Sequence, residues 1–180
     1  MRRYFLRQSS YVIASIYGFS FMPSLANANT YKEIQWDELM PLEWKKKVSH
    51  QLLIIRRYGN FMDNDPKAIN VYSNLKKTWD NAPIVKTYIG QRIKIPGYVV
   101  PLDAERLQTN EFLIVPYFGA CIHTPPPPAN QIILVTPPRG LRFKTMDAVW
   151  VEGILAEGKT NSSMGTSAYI LKADRVTAYK

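Results

Sequence analysis

A mainly β, α+β fold is what the sequence predicts, on three observations. Two apolar stripes of helical period occupy the first half of the chain. After Gly90 the texture changes to short alternating runs, separated by proline, glycine and polar turns. Those runs number five, and the first carries a Pro96-Gly97 bend. Five short strands with a bend in the first match a small Greek-key barrel of the OB type, braced by two N-terminal helices. A twisted open sheet covered by the same helices is the competing architecture. With 180 residues, 46% hydrophobic and 21% charged, the chain suits one globular domain and not a disordered or fibrous protein.

The first residues read as a targeting segment. Arg2, Arg3 and Arg7 precede an apolar stretch over residues 11–22, and Ala26-Asn27-Ala28 supplies small residues where a signal peptidase reads. We expect residues 1–28 to be a signal peptide cut after Ala28, with export to the periplasm. The apolar stretch is shorter than the roughly 20 residues a spanning helix needs, so no transmembrane segment is expected in the mature chain. An uncleaved amphipathic anchor is the other reading, and no cysteine follows the stretch for lipid attachment. Removing these residues takes away three arginines and no acid, which lowers the charge from +9 to about +6. No dense basic run marks a nucleic-acid track, and none is expected as a partner for an exported chain.

Residues 29–89 read as a helical brace. WDELMP (residues 36–41) is a turn that plants Trp36 and Leu39. Trp44, Val48, Leu52 and Ile55 form one face of a helix over residues 42–58, ended by Gly59. A second helix starts at Pro66 with Asp65 as its cap, buries Ala68, Tyr72, Leu75 and Trp79, and stops at Asn81-Ala82-Pro83. Trp36, Trp44 and Trp79 read as packing between helix and barrel, and His50 as a surface residue.

Residues 90–180 read as the β-barrel domain, one structural unit with the brace. Strands are expected over residues 91–102, from Glu111 to Val115, over 131–135, over 148–156 and over 168–179, the last as one strand or as two short ones broken near Asp174. Residues 157–167, rich in glycine, serine and asparagine, read as a flexible loop. Residues 139–147 are a short linker with no helix.

The central block is VPYFGACIHTPPPP, residues 115–128. It holds the single cysteine, Cys121, and one of two histidines, His123. On extended backbone, side chains two apart share a face, so thiol and imidazole suit zinc, with carboxylates from Glu111 or Asp103 to complete the site. The pair also suits a thiolate nucleophile or redox centre with His123 as base. The third reading is structural: Cys121 as a small buried hydrophobe. The prolines Pro125, Pro126, Pro127 and Pro128 form a stiff polyproline strap, or, with Tyr117 and Phe118, a docking surface for a partner.

WDELMP, TWDNAP, IPGYVVPLD, EFLIVPYFGACIHTPPPPANQI and the closing VWVEGIL and SAYILKADRV together resemble the bacterial domain-of-unknown-function family 3299, in order from about Trp36 to the C-terminus. The resemblance implies an exported protein, and for some members a lipoprotein, a feature this chain lacks the cysteine for. It implies no activity. It does imply an envelope role in zinc homeostasis beside an ABC-type transport system. The expectation is therefore a non-enzymatic binding or accessory protein of the envelope, with zinc as its candidate cofactor. A thiol-dependent enzyme and a purely structural interaction module are the alternatives.

Overall fold

The computed structural model describes residues 30–58, 66–102, 110–120 and 126–180. In order they form β1 (Lys32–Glu33), a one-turn 3-10 helix (Trp36–Leu39), α1 (Leu42–Tyr58) and α2 (Pro66–Trp79). There follow β2 (Arg92–Pro101), β3 (Phe112–Val115), a second 3-10 turn (Ala129–Gln131), β4 (Ile133–Thr136), β5 (Ala148–Ser162) and β6 (Gly165–Ala178).

The fold is mainly β with a few helices, and its six strands make one sheet. Five of them join in a ring of hydrogen bonds: β2 pairs with β3, β3 with β4, β4 with β6, β6 with β5, and β5 returns to β2. Only β4 and β6 run parallel within that ring. The sixth strand, β1, lies parallel against β2 and is too short for any periodicity to reveal it.

Strand alternation fills the interior. Ile93, Ile95 and Val99 of β2 meet Phe112 and Ile114, Ile133 and Val135, Val149, Val151 and Leu155, and Tyr169 and Leu171, with Ile34 and Leu39 closing one end. A second cluster, Val100, Leu113, Val115, Ala120, Ile132 and Leu134, covers the other face of β3 and β4. Both strands are thus buried on both faces, which is why they read as unbroken apolar runs and not as alternations. Among the described residues Val48, Leu75 and Trp79 form a third cluster between the helices, and Trp44 packs against both it and the interior of the ring. Trp79 serves the helix pair, its indole N–H donating to Gln51 Oε1 at 2.9 Å. Gly59 and Asp65, and the side chains of Leu52, Ile55, Ala68 and Tyr72, lie outside the described residues.

Two expectations are corrected. Residues 157–167 are no loop: β5 continues to Ser162, turns at Ser163 and Met164, and returns as β6. Thr160, Asn161 and Ser162 pair with Ser167, Thr166 and Gly165, and the Ser162 hydroxyl donates to Gly165 O at 2.8 Å. No residue of β5 from Glu157 to Ser162 is buried, so this end carries no apolar alternation, although Thr160, Asn161 and Ser162 are paired to β6. Of the two readings of the last strand, one piece or two, the alternative falls: β6 is unbroken and carries a bulge near Asp174, where the register slips by one residue.

Candidate functional site

The site begins with an interval on one edge of β2. Ile34 N–H donates to Lys94 O at 3.0 Å, so Lys94 turns its backbone polar groups toward β1. By the two-residue alternation Pro96 and Tyr98 face the same edge. There β1 has already ended, and β3 starts only opposite Tyr98, at Val115. Proline has no N–H to leave unpaired in that interval, and its carbonyl accepts from the Trp36 indole N–H at 2.7 Å. The strand thus runs through Pro96-Gly97 with no interruption. A Cβ on Gly97 would meet Ile114 Cβ at 3.0 Å and the Trp36 ring at 3.3 Å, so glycine lets the indole come this close.

In front of this interval opens a slot of about 280 Å³. Trp36, Tyr98 and Tyr179 supply aromatic walls, Pro96 and Pro116 the floor, and Gln35 an exposed amide. The aromatic surface continues on both sides. Phe118, 68% exposed, meets Tyr98 edge to face with centroids 5.8 Å apart. Trp150 stacks on Tyr179 at 5.2 Å and carries the Lys94 ammonium 4.1 Å above its own ring. Tyr117 and Phe118 are lifted outward because the chain after Pro116 turns through Gly119, at φ +84°, while Ala120 is buried as the anchor. Gly119 N–H is also within reach of Met146 Sδ, at 3.2 Å.

Trp36 is held from behind. Gln131 Nε2 donates to Trp36 O at 3.0 Å. Glu38 accepts from Gln35 N–H at 2.8 Å and from the Tyr88 hydroxyl. The Tyr88 bond first, then the backbone bond, holds the Glu38 carboxyl below its ordinary value, and the same bond raises the Tyr88 phenol. A depressed carboxyl contributes stability above its unfolded value of 4.5 that is lost as pH falls through the folded one. Acidification from about pH 5 to 3 should therefore loosen the Trp36 turn, read as a change in tryptophan emission, and Glu38→Gln should flatten that change. An identical acid profile in the variant would refute the assignment.

Of the residues the sequence singles out, Cys121, His123, Asp103 and Pro125 lie outside the described residues. Glu111 stands exposed just before β3. Among the described residues no three His, Cys, Asp or Glu side chains gather closely enough to hold a metal. Pro127 and Pro128 are buried and Pro126 half-buried, a placement that suits the strap; Tyr117 and Phe118 are the exposed members of the docking set. Tyr98, Trp150 and Tyr179 were missed. Their signal was available in part, since Tyr98 follows Arg92 and Lys94 on the wet face of β2, an aromatic where charge is the rule.

The family model described as a protein of unknown function, DUF3299, matches residues 36–178. The chain belongs to the DUF3299 family. A solved DUF3299 family protein from Pseudomonas aeruginosa PAO1 is similar in structure, with 31% sequence identity and a TM-score of 0.60. The match covers 84% of this chain and 98% of that one. No curated protein matches the chain. In this DUF3299 protein no helix among the described residues is long and apolar enough to cross a membrane.

Proposed function

We propose that this protein is a non-enzymatic binding or accessory protein of the bacterial envelope, exported by its N-terminal segment and periplasmic, that engages a protein partner through its aromatic edge. The observation that carries the reading is the pair Tyr117 and Phe118, 45% and 68% exposed at the turn after β3, beside a slot walled by further aromatics. Large exposed rings next to a concavity are the usual anchors of protein recognition. We read the ring of five strands as a closed barrel in the OB order, supported by the return of β5 to β2 and the parallel pairing of β4 with β6. Such a scaffold presents loops from a rigid frame.

Capture from envelope extracts on immobilised protein tests the reading. Wild type is expected to retain a partner that Phe118→Ser releases, and equal capture by both would sink it. The family resemblance adds zinc handling beside a transport system. Metal analysis of protein purified without chelator addresses that separately: stoichiometric zinc, lost in both Cys121→Ser and His123→Ala, is the outcome expected if zinc is part of the role. Absence of zinc together with rapid alkylation of Cys121 at neutral pH would replace the binding reading with a thiol-dependent one.

A further inference from the structure

We infer that the slot over β2 binds an extended proline-rich peptide segment flanked by acidic residues, an inference that rests on the binding reading above and names its ligand. The walls are Trp36, Tyr98 and Tyr179, and the floor is Pro96 and Pro116. Flat rings spaced along an open slot are the surface that proline rings fill in polyproline II recognition. At about 280 Å³ the slot lies at the small end of ligand sites, room for a short length of chain and not for a folded element. A shallow site recovers little of the entropy lost in ordering a flexible chain, whereas a polyproline II segment has little left to lose.

Such a ligand also presents backbone carbonyls with no partners of their own. The slot offers donors for them: the hydroxyls of Tyr98 and Tyr179 and the Gln35 side-chain amide N–H groups have no hydrogen-bond acceptor among the described residues. Charge selects the flank. Lys144, in the turn leading into Ala148, and Lys180, next to Tyr179, are both exposed, and neither ammonium forms an ion pair among the described residues, the Asp147 carboxylate being turned to the Lys144 backbone N–H at 2.7 Å. An acidic residue beside the prolines meets this basic end.

The test is titration of the ¹⁵N-labelled protein with the peptide PPPPPPDD, the matched peptide GSGSGSDD, and chitotriose. PPPPPPDD is expected to move the Trp36 indole resonance, whose N–H bonds Pro96 O, and to leave that of Trp79, bonded to Gln51, in place. Tyr179→Ala should weaken binding about tenfold. Lys144→Glu should weaken it too and reduce its salt dependence, while Leu53→Ala on the exposed face of α1 should leave it unchanged. Equal binding of GSGSGSDD, indifference to Tyr179→Ala, or a Trp36 shift with chitotriose alone would overturn the inference. If Phe118-dependent capture persists while PPPPPPDD fails, the slot assignment falls and the binding reading stands. If capture fails while the peptide still binds at Trp36, the slot assignment stands and the proposed aromatic edge falls.

Discussion

Replacing Gly153 with alanine is expected to lower the unfolding free energy by about 3 kcal/mol. An ideal Cβ there would lie 2.2 Å from Lys172 O and 2.7 Å from Ala173 Cα, and both are backbone atoms of the paired strand. Side chains can rotate away from a new methyl, but a paired backbone cannot without breaking its ladder. Gly153 faces inward between Val151 and Leu155, at the point where the bulge lets β6 cross close over β5. Glycine here allows the two long strands to coil tightly enough for β5 to reach β2. Gly158→Ala is the control. Its Cβ would lie 2.3 Å from Ile170 Cδ1, the far end of a flexible side chain, and should cost about 1 kcal/mol. Urea denaturation of both variants checks the contrast, and equal losses would contradict it.

Tyr169→Phe is expected to cost about 2–3 kcal/mol, because the buried Leu39 carbonyl and the half-buried Val85 N–H both lose their partner. The ring is fully buried, its hydroxyl accepts from Val85 N–H at 2.7 Å, and it donates to Leu39 O at 3.0 Å with Val85 O also near, at 3.2 Å. One hydroxyl therefore ties the Trp36 turn and the chain after α2 to β6. Burial pushes this phenol from its ordinary 10 up to about 12. Below pH 10 it is neutral in both states and contributes no slope; between 10 and 12 the unfolded chain ionises while the folded one keeps its proton. Stability should then fall as pH rises across that interval, by at most about 3 kcal/mol, and the phenylalanine variant should lack this part of the decline. Chemical denaturation at stepped pH checks it, and parallel profiles would refute it.

How much of this was legible in the sequence follows from what carries a period. The helices over Leu42–Tyr58 and Pro66–Trp79 repeat apolar residues every three to four positions and were readable to their ends. So was β2, alternating Ile93 and Ile95 against Arg92 and Lys94. The outer half of the β5–β6 hairpin was not, because β5 from Glu157 to Ser162 buries nothing and the buried residues opposite, Thr166 and Ser167, are polar. Nor was β1, two residues whose only signature is a partner sixty-one positions away. The slot was opaque for a similar reason: Trp36, Pro96 and Tyr179 meet only through closure of the whole ring. What stands out in one dimension is Cys121 and His123, because unusual chemistry shows in a sequence and concavity does not.

Trp36 stands at the meeting point of the ring and the amino-terminal segment, fastened by one indole bond to Pro96 and one carbonyl bond from Gln131. Tension at the amino end would peel β1 and then the indole from β2 before straining any rung between β2 and β5. Loss of β1 is thus followed at once by removal of one wall of the slot, so force at the amino end would release whatever the slot holds while the strands behind stay shut.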